Sequence, residues 1–94
     1  MKFIELSCVA THWSTDCREL LIESSTEKRI LINVDYIASI SQEPVHAREG
    51  YKIRDLYYVK TTIPVSRGTN GVDYRGYYVT EATYLTLTTK LEIL

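Results

Sequence analysis

The run Ile30-Leu31-Ile32-Asn33-Val34-Asp35-Tyr36-Ile37-Ala38-Ser39-Ile40 constrains this chain more than any other stretch. Apolar or small residues fill each even position from Ile30 to Ile40, which is the two-residue period of a strand with one buried face. Ile37 breaks that phase, and Asn33-x-Asp35 places two side chains that hydrogen-bond their own backbone in the middle of the run. Val34, Ile37 and Ile40 also recur at three-residue steps, the spacing of a 3₁₀ turn. Together these features predict a strand to about Asn33, one tight turn near residues 34 to 37, and a second strand from about Ala38 to Gln42. The even-numbered residues are expected to face the core.

Upstream, residues 2 to 9 alternate, with Ile4, Leu6 and Cys8 on one face of a half-buried strand. From Ala10 to Asp16 the chain is polar apart from Trp13 and reads as a loop with one aromatic anchor. The short apolar run Glu19-Leu20-Leu21-Ile22-Glu23 precedes the turn-forming cluster Ser24-Ser25-Thr26-Glu27, so a hairpin joining it to the strand at Lys28 is the simplest reading. A helical turn over residues 16 to 23 fits the same short run.

Downstream, Glu43 to Gly50 reads as a charged surface loop, because Pro44 cannot donate to a ladder and Gly50 is permissive. Strand character resumes from Leu56 to Val65, with Tyr57, Val59, Ile63 and Val65 on one face, and Pro64 argues for an edge position. Asn70-Gly71 signals a type I′ hairpin turn, which would pair Thr69 with Val72 and set Ile63 opposite Tyr78. Gly68 and Gly76 on its arms are expected to weaken the pairing near the tip. In the tail, Tyr84, Leu87, Leu91 and Leu94 share a helical face, with Thr80 as N-cap and Glu81 in the first turn. The threonines at 83, 86, 88 and 89 favour a strand instead.

Lys28 to Ile40, followed later by Tyr77-Tyr78-Val79-Thr80-Glu81 and the amphipathic tail, resembles the FlbD-like family of very small flagellar-operon proteins. Members of that family show an N-x-D-x-I turn after an apolar strand and a V-x-E leading into a C-terminal helix. The resemblance covers about a third of the chain. It implies a helix from about Glu81 to Glu92 and a role as a protein-interaction or regulatory adaptor, and it carries over no active site. This chain is longer, with an added N-terminal hairpin and expanded segments at residues 43 to 56 and 64 to 75. The expected fold class is therefore α+β: a small, mostly antiparallel bent sheet of about five to six strands with one C-terminal helix. An all-β fold with the tail as a strand is the alternative.

Ninety-four residues suit a single β-rich domain over 1–94, and 45% hydrophobic with 24% charged residues is the composition of a folded chain. Eleven basic residues against 12 acidic ones leave a net charge of -1, so no global field favours non-specific nucleic-acid binding or an anionic membrane. No apolar run approaches the roughly 18 residues of a membrane span, and Glu5 falls where a signal peptide has its apolar stretch. A cytoplasmic protein is expected. There, Cys8 and Cys17 stay as thiols. With His12 they provide three potential zinc ligands, but without the paired C-x-x-C spacing that makes a zinc site recognisable, so neither metal nor cofactor is expected.

No nucleophile elbow, Walker loop, dinucleotide fingerprint or metalloprotease motif is present, and His12 and His46 fall in expected loops. Tyrosine is the anomaly: eight, against one Phe and one Trp, and all but Tyr36 lie from Tyr51 to Tyr84 among several cations. Aromatic and cationic groups on a strand face stack on rings and pair with phosphate. The candidate ligand-binding residues are Lys52, Arg54, Tyr58, Lys60, Arg67, Tyr74 and Arg75. The competing reading is that Tyr and Arg form ordinary sheet surface or a subunit interface. The function expected is a non-enzymatic module that self-associates as a homo-oligomer and holds a small anionic or nucleotide-like ligand, for instance as a phage or mobile-element sequestering protein. The alternative is an adaptor that binds a protein partner.

Overall fold

Alternating apolar residues build six strands, one 3₁₀ turn and one helix in the computed structural model, which describes residues 2–66 and 72–92. β1 (Phe3–Ser14) and β2 (Glu19–Asn33) form one long antiparallel hairpin. Its turn spans residues 15–18, with Arg18 at φ 52° and the Cys17 N–H donating to Ser14 Oγ at 3.2 Å. The expected loop at Ala10–Asp16 and the expected reversal at Ser24–Glu27 are thus both corrected. At the latter site β2 bulges instead. Cys8 pairs with Lys28 and Thr11 with Ile22, so three steps along β1 span six along β2. Hydroxyl side chains explain the difference: the Thr26 N–H donates to Ser24 Oγ at 3.2 Å, which withdraws local backbone from the ladder without reversing the chain.

The central run forms as a strand, turn and strand. Asn33 caps the 3₁₀ turn Val34–Tyr36 by accepting the Asp35 N–H at 2.9 Å, and β3 follows over Ile37–Ile40, one residue earlier and shorter than Ala38–Gln42. The even-numbered rule holds only to the turn. Beyond it Val34, Ile37 and Ile40 pack on the core while Tyr36 and Ala38 are exposed, because a 3₁₀ turn advances the inward face by three residues.

The expected loop at residues 43–50 contains β4 (Val45–Glu49), and β5 (Lys52–Ser66) begins before Leu56. Gly50, at φ 62°, supplies the positive φ that the two-residue turn between them needs. β6 (Val72–Val79) then pairs Tyr58 with Tyr78 and Ser66 with Val72. Ile63 therefore does not face Tyr78, since Ser66 and Val72 leave five residues between them where the Asn70-Gly71 turn would leave two. That turn lies outside the described residues. β5 as a whole pairs with β3, β4 and β6, yet Pro64 lies past the last β3 partner, Thr61, so its missing N–H costs no second ladder.

These pairings run in a circle: β5 to β4 to β2 to β1 to β6 and back to β5, with β3 added on β5. Only β2 with β4 is parallel among them. Val9, Leu20, Ala47 and Leu56, one from each of four ring strands, pack together with Tyr78 of the fifth. A second cluster uses the other face: Ile4, Leu6, Cys8, Ile32, Val59 and Val79 lie with Leu87 of α1 (Glu81–Glu92). This is a small α+β fold. Thr80 caps α1 as expected, its Oγ1 accepting the Thr83 N–H at 3.3 Å, while Thr83 Oγ1 accepts the Ser7 N–H and ties the helix to β1. The hydroxyls of Thr86, Thr88 and Thr89 donate to carbonyls one turn back, which accommodates these strand-favouring residues in a helix.

Candidate ligand-binding groove

β1 and β6 touch as ladder partners only at Cys8 and Val79 among the described residues. Beyond that point the β1–β2 ladder bulges, and residues of β1, β2 and β6 line a groove of about 340 Å³. Cys8 and Ile30 contribute to its apolar part, and Lys28, Arg75 and Tyr77 are in its lining with Thr11 and Thr26. Strand register explains the gathering. Lys28 lies opposite Cys8, Cys8 opposite Val79, and Arg75 and Tyr77 alternate with Val79 along the same face of β6.

Two cations therefore share one groove, and among the described residues no carboxylate lines it. Glu27 is engaged elsewhere, accepting from Ser7 Oγ at 3.0 Å, and Asp73 lies further out along β6. Burial pushes the Cys8 thiol up to about 11, with Lys28 pulling it partly back. At neutral pH it is a neutral wall, since the thiolate is the nucleophilic form.

The structure spreads the predicted site residues over several places. Arg75 lines the groove. Tyr58 packs across Gly76 and against Tyr78, with ring centroids 4.9 Å apart. Lys52 pairs with Glu49 and Arg54 with Ala47 in the β4–β5 hairpin, away from Arg75. Lys60 and Tyr74 are exposed on β5 and β6, and Arg67 lies outside the described residues. Lys28 and Tyr77 line the groove as well, although the sequence pattern marks neither as ligand-binding. The cue for Lys28 was the polar cluster before it, which marks where the strand bulges.

Both histidines lie beside carboxylates on strands: His12 Nδ1 is 3.1 Å from Glu23 Oε1, and His46 Nδ1 is 2.5 Å from Asp55 Oδ1. Each is exposed, and neither lines the groove. Among the described residues no three His, Cys, Asp or Glu side chains converge to hold a metal ion, and Cys8 and Cys17 are free thiols. No helix among the described residues is long and apolar enough to cross a membrane. Compared with protein-family models, curated proteins and solved structures, the chain has no significant match in any of the three.

Proposed function

We propose that this protein is a non-enzymatic binding module that self-associates and holds a small anionic, nucleotide-like ligand in the groove between β1 and β6. The observation that carries the reading is the convergence of Lys28 and Arg75 on a groove that no carboxylate lines among the described residues. Arg75 offers a planar fork to phosphate or carboxylate oxygens, and Lys28 adds a point charge. Tyr77 provides a ring for an aromatic group to contact. The volume, about 340 Å³, lies at the small end of ligand sites, which span roughly 300–1,000 Å³. Lys52, Arg54, Lys60 and Tyr74 act in this reading as solvated sheet surface. The protein is taken to be cytoplasmic, where two free thiols persist.

Calorimetric titration with inorganic phosphate and a panel of nucleotides tests the proposal. Binding of at least one member is expected, and Arg75→Ala should weaken it about tenfold or more, the loss of a charge-assisted hydrogen bond. No heat for any of them, with the fold intact, overturns it.

A second reading, an adaptor of the FlbD-like kind, is favoured by one feature of the same place. Among the described residues, residues 9–14 of β1 and 74–78 of β6 have no ladder partners across the groove, so an extended peptide has backbone edges there to join. Pull-down of a protein partner that survives Arg75→Ala while nucleotides give no heat supports this reading over the first.

A further inference from the structure

The outward face of the β1–β2 hairpin, on the side away from Cys8 and Ile30, carries a pattern that water alone does not explain. Ile4, Leu6, Ile30 and Ile32 alternate into the core, which turns Phe3, Glu5, Arg29 and Leu31 outward. A half-buried hairpin normally presents polar residues there. Here Phe3 is 54% and Leu31 68% exposed. They are diagonal neighbours, since Phe3 pairs with Asn33 and Glu5 with Leu31. Arg29 Nε stands 3.5 Å from Glu5 Oε1, so one cation and one carboxylate flank the apolar pair.

We infer that these four residues form a two-fold contact between two copies of this chain. An isologous interface requires a patch complementary to itself. A two-fold axis passing by Leu31, across the Glu5–Arg29 diagonal, stacks Leu31 of one copy on that of the other and leaves Phe3 at the margin of the contact. It also brings Glu5 of each copy to the partner's Arg29. Glu27, further along the same face of β2, is held by Ser7 Oγ and stays at the margin. The inference rests on the self-association half of the proposed function and not on the groove, which opens beside Cys8 and Ile30 on the opposite face.

Light scattering across a concentration series tests the contact, with circular dichroism to confirm folding. The wild type should form dimers, and Leu31→Lys should weaken them by about a hundredfold, the cost of burying an unpaired charge at an interface. Glu5→Arg leaves two cations on the face and Arg29→Glu leaves two carboxylates, so each variant should be a monomer alone. An equimolar mixture should recover a heterodimer. Dimers that persist in Leu31→Lys, a mixture that stays monomeric, or a monomeric wild type at high concentration each overturn the inference. Phosphate or nucleotide titration of the Leu31→Lys variant keeps this result separate from the groove: unchanged binding heat leaves the ligand reading standing whatever the oligomeric state.

Discussion

The ring of Tyr58 lies across Gly76, so closely that a Cβ added at Gly76 would overlap the phenol. Lys60 on β5 is the ladder partner of Gly76, and the absent side chain leaves room for Tyr58 to reach Tyr78 at an interplanar angle of 51°. Gly76 is thus a packing site and does not merely loosen the hairpin arm. Gly76→Ala should cost about 1–3 kcal/mol, the usual penalty of overpacking. Urea denaturation measures it, and the cost should largely vanish when the same change is made in a Tyr58→Ala background. An equal cost in both backgrounds would show that the ring is not the obstacle.

Leu87 is fully buried beneath α1, and Tyr84 one turn earlier stacks on Tyr57 with ring centroids 3.7 Å apart and planes 8° from parallel. Leu87→Ala should lower stability by about 2–5 kcal/mol. Thr80→Ala removes the cap and should cost about 1 kcal/mol, with Thr80→Ser recovering most of it. Thermal unfolding followed in the far ultraviolet compares the three. If Leu87→Ala is as stable as the wild type, the helix does not dock where the structure has it.

Local chemistry made parts of this fold legible. Asn33 and Asp35 act on their own backbone, so the turn between β2 and β3 follows from neighbours in sequence. β4 was illegible for the converse reason. Its inward residues are only Val45 and Ala47, set among charges, and their burial depends on Leu20 and Leu56 arriving from other strands. The β5–β6 register escaped as well, because Asn70-Gly71 states a local preference while the register between Tyr58 and Tyr78 is read from the packed sheet. The groove is the strongest case. Lys28 and Arg75 come to line one groove through the Cys8–Val79 pair, a long-range event that no local pattern announces.

Asn33 offers a direct check on the turn. Its buried side chain accepts the Asp35 N–H, so Asn33→Ala leaves that donor without its partner and should cost about 0.5–2 kcal/mol. Asn33→Asp keeps an acceptor oxygen in the same place and should cost much less. Equal midpoints for the two variants in urea would remove the cap from the account of how β2 turns into β3.

Cys8 gives the pH dependence its sign. Burial raises its thiol from an ordinary value of 9.0 to about 11, so between those values the unfolded chain has released a proton that the folded chain still holds. The unfolded state then binds fewer protons, and stability falls as pH rises through that window. Below it the Cys8 contribution is constant. Tyrosines and lysines also titrate at high pH, so the diagnostic quantity is the difference between the wild type and Cys8→Ala, whose unfolding free energy should decline less steeply from about pH 9 to 11. Reactivity provides an independent readout: iodoacetamide at pH 8 should label exposed Cys17 readily and buried Cys8 slowly. Lys28→Ala removes the charge that partly offsets burial and should shift Cys8 labelling to still higher pH. Cys8 labelling as fast as Cys17 in the folded protein would mean that the seam between β1 and β6 opens, and with it the wall of the groove.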